Sequence, residues 1–247
     1  MTGPGERPQM ELRGLKRRRE LLAAVLVLEG SSRNDLKRAS ALCAMMADRS
    51  LLVAVDGGLK TCRLARRKPD LFVGDGDSLR RRPPADIPSV LFEQDKDFSD
   101  LAGALQAMRE RKVQIVYIAG LTGGRLDHEW ANLLEAAACA RWFAGIVAPT
   151  DRGTVVVTSH GYRASTVRGR NFSLFALGSA STVSLSGTEW ELNRRRLRPG
   201  SHGLSNVTGT ELDLTVHKGV VALVLLPPRR SRGGAERPAI KTAAKVG

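Results

Sequence analysis

Uninterrupted apolar runs, rather than alternating ones, dominate the first half of the 247-residue chain, and most of them end in short Gly- and Asp-containing segments. The runs cover residues 21–28, 51–55, 71–73, 90–92 and 113–119. Runs that are apolar throughout indicate strands buried on both faces, and intervening helices indicate a parallel sheet. The chain is therefore expected to contain an α/β domain over residues 21–150.

Helical spacing of apolar residues fills the segments between several of these runs. Helices are predicted over residues 34–47, 98–111 and 126–143. One face of the third helix is expected to pack on the core through Leu126, Trp130, Leu133, Leu134 and Ala137. Residues 151–227 consist of short β-rich runs separated by Gly, Ser and Asn, which predict an all-β domain, a small sandwich.

The formal net charge of +14 is concentrated at the two ends of the chain. Residues 1–20 carry six Lys or Arg against three Glu, and residues 228–247 carry six against one Glu. Their composition predicts a basic flexible arm and a basic disordered tail. A nucleic-acid-binding face would combine basic and aromatic residues on a folded surface, so nucleic-acid contact is expected only as a non-specific property of these ends.

Neither a membrane span nor a disulfide framework is predicted. The apolar stretch at residues 21–28 is too short to cross a bilayer, and no small-residue cleavage pattern follows it. The three cysteines are odd in number and include no CxxC pair, which fits a reducing compartment. A cytoplasmic protein is expected.

An acidic pair follows the third apolar run, in residues 69–78 (PDLFVGDGDS). Asp75 and Asp77 are two residues apart, so an extended backbone would point both carboxylates to one side. Mg²⁺ prefers oxygen ligands and takes one or two carboxylates together with phosphate oxygens. The pair is a candidate magnesium site, although Gly-Asp-Gly-Asp is also ordinary turn composition.

A second acidic motif, residues 95–100 (DKDFSD), comes just before a predicted helix. Asp97 is a candidate cap for that helix, and Asp100 would lie in its first turn, where a negative charge is favourable. Capping does not explain Lys96 between the acids. This lysine is a candidate phosphate contact.

A third motif, residues 120–128 (GLTGGRLDH), joins a strand to a helix. Its glycine-rich turn lets backbone N–H groups approach a phosphate, and Arg125 could add a bidentate contact. His128 is more readily explained by a structural role. All three motifs follow strands, where parallel α/β sheets bind ligands, and clustered carboxylates repel one another without a cation. A metal ion and nucleotide phosphates would resolve that repulsion.

The ordered motif set resembles that of the thiamine pyrophosphokinase family. The family patterns DGG, PDxxxGDxDS, KDxTD and GGRxDHxxAN correspond here to Asp56-Gly-Gly, PDLFVGDGDS, KDFSD and GGRLDH followed by Ala131-Asn132. Further on, residues 187–192 (GTEWEL) resemble the family's Gxx(W/Y)xL stretch, and residues 203–206 (GLSN) resemble its GxSN turn. The resemblance extends from about residue 21 to residue 226.

This resemblance implies a Rossmann-like parallel-sheet domain followed by a β-sandwich, in a homodimer with active sites between subunits. It implies transfer of the diphosphoryl group of ATP to the hydroxyl of thiamine, giving thiamine diphosphate and AMP, with Mg²⁺ as cofactor. The implied metal ligands and catalytic acids are Asp75, Asp77 and Asp100, with Asp127 close by as a further catalytic acid.

The resemblance also implies contacts to both substrates. ATP would meet Asp56, Lys96, Ser99, Gly123, Gly124, Arg125 and Asn132. Thiamine would meet Trp190, Ser205 and Asn206, contributed by the partner subunit. The indole suits this role, because thiamine is a cationic aromatic that an indole face attracts.

Several alternatives stay open at this point. A pyrophosphokinase acting on a hydroxymethylpterin would share the acidic motifs but would not need Trp190 or the Ser205-Asn206 turn. A non-catalytic protein that binds thiamine or a nucleotide would not need so many acids beside a polyphosphate. A basic nucleic-acid-binding module would confine its function to the chain ends. The general base is open between Asp100 and Asp127.

Overall fold

The structure is a computed structural model that describes residues 10–12, 22–47, 49–76, 83–93 and 95–227. The predicted basic tail lies outside these residues, as does the predicted arm apart from a short strand, β1 (Met10–Leu12). Asp77, the second acid of the candidate magnesium pair, also lies outside them.

Strands and helices alternate through the first half, as the apolar runs predict. The elements are β2 (Leu22–Val27), α1 (Arg33–Met46), β3 (Arg49–Val55), α2 (Gly58–Leu64), β4 (Leu71–Gly74), β5 (Ser89–Leu91), α3 (Asp100–Glu110), β6 (Ile115–Ala119), α4 (Leu126–Cys139) and β7 (Gly145–Thr150). Helix α2 and strand β7 were not predicted. A 3₁₀ turn at Ala140–Trp142 follows α4, so the α-helix ends before the predicted residue 143.

The strands of this half form a parallel sheet in the order β7-β6-β2-β3-β4-β5. Strand β6 is buried along its whole length, as its uninterrupted apolar run indicates. Leu28, just after β2, donates its backbone N–H to the carbonyl of Ala119 at 3.0 Å, and Asp56, just after β3, donates to Val73 at 2.8 Å. The segments that follow β2, β3, β4 and β6 therefore meet at one edge of the sheet.

Helix α4 does not pack as the sequence pattern predicts. Leu126, Trp130 and Leu134 are 71%, 63% and 61% exposed, whereas Ala136 and Cys139 are buried. Leu133 and Ala137 are partly buried against the same core. The helix is apolar around much of its circumference, and it meets α3 and the sheet through its small residues, which allow the closest approach.

The second half is antiparallel. Its strands are β8 (Gly153–Thr158), β9 (Gly161–Ser165), β10 (Asn171–Ala176), β11 (Ser181–Thr188), β12 (Leu192–Leu197), β13 (Asn206–Lys218) and β14 (Val221–Leu225). One set of strands continues the parallel sheet in the order β7-β8-β14-β10-β13, and a second set is ordered β1-β9-β13-β11-β12. The long strand β13 belongs to both sets.

The sheet is continuous across the boundary predicted at residues 150–151. That boundary falls in the turn between β7 and β8, whose strands pair antiparallel. One hydrophobic cluster accordingly contains residues from both halves, including Val25 of β2 and Leu212 of β13. The three cysteines are buried and free, and burial raises the pKa of each thiol to about 11. No helix in the described ranges is long and apolar enough to cross a membrane.

Candidate active site

A cavity of about 620 Å³ opens beyond the carboxyl ends of β2, β3 and β6. It brings together most of the residues that the sequence singles out in the first half. Its lining includes Asp56, Lys96, Ser99, Asp100, Gly124, Arg125, His128 and Asn132. Asp75 is not a lining residue, but its carboxylate binds Lys96, which is. Gly123 and Asp127 lie in the turn beside the cavity and do not line it.

Asp56 is held in an unusual position at the end of β3. Its backbone is in the left-handed region, with φ of 42°, and its side chain is buried. Its Oδ1 atom is buried without a hydrogen-bond partner among the described atoms. Because an unpartnered buried carboxylate oxygen is unfavourable, a cation or a hydrogen-bond donor beside this atom would stabilise it.

Lys96 connects the first two acidic motifs. Its Nζ atom lies 2.5 Å from Asp75 Oδ2 and 3.1 Å from Asp100 Oδ1, and only 10% of its side chain is exposed. Burial disfavours the ammonium charge, but the hydrogen bonds and charges of the two carboxylates outweigh it and raise the pKa of Lys96. The lysine therefore stays charged throughout the physiological pH range.

Asp100 lies in the first turn of α3, as predicted. Burial raises the pKa of its carboxyl group, Lys96 opposes that shift, and the nearby charges of Asp75 and Asp56 add to it. The prediction that Asp97 caps this helix was wrong. Ser99 is the N-cap instead, because its Oγ accepts the backbone N–H of Ala102 at 3.1 Å.

The glycine-rich turn before α4 binds a carboxylate of the protein itself. The backbone N–H of Gly123 donates to Glu129 Oε1 at 2.5 Å. Gly30 has φ of 78°, and a Cβ there would lie 3.4 Å from Gly124 Cα, so the loop after β2 packs directly on this turn. The Asn132 side chain donates to the Leu121 carbonyl at 3.5 Å, which ties α4 to the turn.

Arg125 and Asp127 form an exposed pair at the start of α4. Arg125 Nε and Nη2 lie 3.2 Å and 2.6 Å from the two oxygens of Asp127, and the side chains are 73% and 62% exposed. The hydrogen bond from Arg125 is the main cause that lowers the pKa of Asp127. Asp127 thus binds the arginine in a pair that is open to solvent.

The acidic side chains of this cavity fit a magnesium ion in chemistry and number. In the part of the chain that the structure describes, no three Asp, Glu, His or Cys side chains converge as a metal-binding group. Mg²⁺ needs only one or two protein carboxylates when phosphates supply the other oxygens. Lys96 contacts both Asp75 and Asp100, and the buried Oδ1 atom of Asp56 has no hydrogen-bond partner among the described residues. These donors match that requirement.

The residues predicted to contact thiamine lie around a second cavity, of about 960 Å³, in the antiparallel half. Trp190 and Asn206 line it, and Trp190 is 55% exposed. Ser205 lies between the lining residues Leu204 and Asn206, with φ of 62°, and its backbone N–H donates to Ser173 Oγ at 3.2 Å. Among the described residues, none lines both cavities.

Asn206 holds the Trp190 loop in place. Its Oδ1 accepts the backbone N–H of Trp190 at 3.1 Å and that of Val207 at 2.7 Å, while its Nδ2 donates to the Trp190 carbonyl at 2.8 Å. The side chain is buried and its polar atoms are occupied by these bonds. Within this chain it positions Trp190.

Sequence reasoning missed two acids of the first cavity. Glu29 lines it directly after β2, and Glu129 both lines it and holds Gly123. The rule that ligands bind after parallel strands would have found Glu29, because it precedes Gly30 at the end of an apolar run. No comparable signal marks Glu129, which looks like an ordinary first-turn acid.

A parallel sheet with acids, a lysine and a glycine-rich turn at its carboxyl edge defines the class of α/β proteins that bind phosphorylated ligands there. Two family models match the chain: thiamin pyrophosphokinase, catalytic domain, over residues 42–144, and thiamin pyrophosphokinase, vitamin B1 binding domain, over residues 158–221. The chain belongs to the thiamin pyrophosphokinase family.

Individual relatives agree with this assignment. The thiamine pyrophosphokinase of Bacillus subtilis (strain 168) is 35% identical over 91 residues, covering 35% of this chain and 42% of the relative. The aligned segment thus spans less than half of that protein.

Solved structures share the fold over a longer range. The B. subtilis thiamine pyrophosphokinase has a TM-score of 0.67 at 20% identity, covering 84% of this chain and 99% of that one. Thiamin pyrophosphokinase from Geobacillus thermodenitrificans has a TM-score of 0.64 at 22% identity, covering 85% and 99%. The Candida albicans enzyme has a TM-score of 0.64 at 12% identity, covering 84% and 90%.

Proposed function

We propose that this protein is a diphosphotransferase that moves the diphosphoryl group of ATP to the hydroxyl of thiamine, giving thiamine diphosphate and AMP. The observation that carries the proposal is the cavity at the sheet edge, where three sequence-distant motifs supply buried acids, a buried lysine and a glycine-rich turn. Both family models, which together cover the two halves of the chain, support the same activity.

The proposed architecture has a Rossmann-like domain over residues 21–150 and a β-sandwich over residues 151–227, flanked by the basic segments 1–20 and 228–247. We further propose a homodimer with active sites between subunits. The separation of the two cavities into different halves of the chain supports this arrangement, since a second copy could present its Trp190 cavity to the acidic one. The free, buried cysteines fit a cytoplasmic location.

Asp75, Asp77 and Asp100 would hold Mg²⁺, which when bound screens the charge of the phosphates and orients them for in-line attack. Two positively charged side chains of the protein would also neutralise phosphate charge. Lys96 is a buried charge in the lining of the cavity, and the exposed Arg125 adds a planar guanidinium donor to the same lining. The Gly123 N–H, which holds the Glu129 carboxylate, is suited to a phosphate oxygen.

Of the two candidate general bases, Asp100 is the better placed to accept the proton of the thiamine hydroxyl. It lines the cavity, whereas Asp127 lies outside the lining and is bound by Arg125 through both carboxylate oxygens. Asp127 therefore acts on Arg125, and through it on ATP.

Replacing Asp127 with Asn is expected to raise KM for ATP about two- to fivefold and to leave kcat unchanged, because an exposed ion pair orients Arg125 only weakly. Steady-state kinetics with varied ATP measure both constants. Asp86→Asn is the control, because Asp86 is also an exposed acid in an ion pair, in this case with Lys68. A fall in kcat of about 10²–10⁴-fold would instead identify Asp127 as the proton acceptor.

Replacing Asn206 with Ala is expected to lower the free energy of unfolding by about 2 kcal/mol, because it removes several buried hydrogen bonds to the Trp190 loop. KM for thiamine should rise while KM for ATP stays constant. Denaturant unfolding and kinetics with each substrate varied measure these effects. Asn193→Ala, at an exposed Asn that lines the same cavity, should change neither quantity.

The proposed function is tested by incubating the full-length protein with ATP, MgCl₂ and thiamine, and by quantifying AMP and thiamine diphosphate. Equal molar formation of both is expected. A hydroxymethylpterin serves as the parallel acceptor. AMP formation with the pterin and none with thiamine would replace this proposal with the pterin pyrophosphokinase, and AMP formation with neither would favour a binding protein.

A further inference from the structure

A further cavity, of about 300 Å³, lies at the amino ends of β6 and β7. Its lining includes residues 112–114, which come just before β6, and residues 141–144, which come just before β7. The first cavity opens beyond the carboxyl end of β6, so the length of this strand, about 15 Å of backbone, separates the two. We call this one the Trp142 cavity, after a tryptophan in its lining.

Three cationic side chains from separate parts of the chain line the Trp142 cavity. Arg109 lies in the last turn of α3, Lys112 follows the end of that helix, and Arg141 belongs to the 3₁₀ turn after α4. No Asp or Glu is among the lining residues, and none of the three cations forms an ion pair with an acid in the described ranges. His160, in the turn between β8 and β9, also lines the cavity. The lining is therefore strongly positive at physiological pH.

The end of α3 does not account for this charge. The C-terminus of a helix carries about half a negative charge, which one nearby cation compensates. Arg111, which does not line the cavity, already serves this end, because its Nη1 donates to the Ala107 carbonyl at 3.0 Å. The three cations of the lining are thus in excess of what the helix end requires.

Two of the cations are held in place by contacts within the chain. The Arg109 guanidinium lies over the Trp142 ring, 4.7 Å from its centroid, and Trp142 packs edge-to-face on the buried Phe143. Lys112 has φ of 58°, a left-handed conformation that is unfavourable for a lysine, and its backbone N–H donates to the Arg109 carbonyl at 2.9 Å. A ligand that meets cations already fixed in this way loses less conformational entropy on binding.

A concave site with fixed cations and no acid suits phosphate, whose oxygens accept several charge-assisted hydrogen bonds at once. The volume lies at the lower end of the range for small-molecule sites, about 300–1,000 Å³. We propose that the Trp142 cavity binds a small anion with one or two phosphate groups, at a site separate from the reaction. This inference goes beyond the proposed function and does not depend on it.

The experiment uses the tryptophans as reporters of binding. The chain has three, so a ¹⁵N-labelled full-length protein gives three indole signals, assigned by replacing each tryptophan with phenylalanine in turn. Inorganic diphosphate is added in EDTA, without ATP. The Trp142 signal should shift saturably, whereas the signal of Trp190, which lines another cavity, should not. Parallel titrations with AMP and inorganic phosphate identify the source of the phosphate group: tighter binding of AMP than of both inorganic anions would indicate a nucleotide.

The variant K112Q/R141Q tests the charge of the lining. It leaves the contact between Arg109 and Trp142 in place, so the reporter signal keeps its environment. Removing two charge-assisted contacts should weaken diphosphate binding about tenfold or more. The same variant should form AMP from ATP and thiamine at the wild-type rate, because the cavity lies at the opposite end of β6 from the proposed reaction site.

The end of α2 provides a matched control, because it has the same local geometry away from this cavity. Arg63 lies in its last turn, and Arg66 follows the helix with φ of 54° and donates its backbone N–H to the Arg63 carbonyl at 2.9 Å. These positions correspond to Arg109 and Lys112 at the end of α3. The variant R63Q/R66Q also removes two charges and should keep the wild-type affinity for diphosphate.

Several results would overturn the inference. One is a Trp142 signal that does not move up to about 10 mM diphosphate, a concentration at which even a weak site of about −4 kcal/mol is mostly occupied. Equal weakening in R63Q/R66Q would show that net charge alone attracts the anion. A short oligouridylate that displaces diphosphate and binds more tightly would assign the cations to nucleic acid. A large fall in kcat in K112Q/R141Q would contradict the separation from the reaction. Absence of AMP formation in the wild type would count against the proposed function and would leave the binding result unchanged.

Discussion

Replacing Lys96 with Met is expected to lower kcat/KM for AMP formation by about 10²–10³-fold, the range found when one preorganised donor is removed from a charged reaction site. Lys96 is the buried cation between two acidic motifs, 2.5 Å from Asp75 and 3.1 Å from Asp100. Without it, two carboxylates that are 7% and 27% exposed face each other uncompensated. Phosphates would also lose their deepest positive contact.

The same variant should be less stable, because removing one partner of a buried ion pair leaves the other charge unpaired, which costs about 3 kcal/mol. Denaturant unfolding measures this loss, and added MgCl₂ should reverse part of it if the acids bind the ion. Lys68→Met is the matched control, since Lys68 pairs with Asp86 on the surface. Wild-type kcat/KM in Lys96→Met, with the fold intact, would contradict the assignment of this cavity as the reaction site.

Strands β2, β3, β4 and β6 were predictable because burial on both faces leaves an uninterrupted apolar run in the sequence. Strand β5 also follows an apolar run, but the expected burial was wrong, since β5 is the edge strand and Leu91 is 57% exposed. Two elements of the same half could not be predicted from the sequence. Helix α2 begins at Gly58 and is only seven residues long, so neither its composition nor its length gives a clear periodic signal. Strand β7 begins with Gly145 and contains Pro149, and both residue types argue against a strand.

Helix α4 shows where periodicity alone misleads. Its apolar residues surround much of the helix, and the sequence cannot say which of them the fold will bury. The large residues Leu126, Trp130 and Leu134 face outward because the small residues allow the helix to approach α3 closely. The choice depends on a neighbour that is distant in sequence, so no local pattern contains it.

Much of the candidate site was predictable for a simple reason. Each motif follows a strand, and parallel strands align their carboxyl ends, so acids that are far apart in the chain had to come together. The individual contacts were not predictable. The bond between Lys96 and Asp75 joins residues 21 positions apart, and the bonds from Asn206 to Trp190 join the start of β13 to a loop 16 residues earlier in the chain.

The second glycine of the Asp56-Gly-Gly motif is explained only by the structure. A Cβ at Gly58 would lie 1.7 Å from the carbonyl oxygen of Val27 and 2.5 Å from its carbonyl carbon. Both atoms belong to the backbone of the buried strand β2, which cannot move aside. Gly58→Ala is therefore expected to lower the free energy of unfolding by about 3 kcal/mol or more, because α2 must move away from β2. Thermal and denaturant unfolding measure the loss.

The neighbouring glycine provides a matched control within the same motif. A Cβ at Gly57 would lie 2.6 Å from Glu29 Cδ and 2.9 Å from Glu29 Cβ, so the exposed end of that side chain can turn away but its Cβ must shift slightly with the loop after β2. Gly57 has φ of −56°, a helical value that alanine adopts without strain, so Gly57→Ala should lower the free energy of unfolding by only about 1 kcal/mol, less than Gly58→Ala. Equal losses in the two variants would show that the motif needs glycine for flexibility. A clearly larger loss in Gly58→Ala would show that the close approach of α2 to β2 sets the position of Asp56, which lines the cavity.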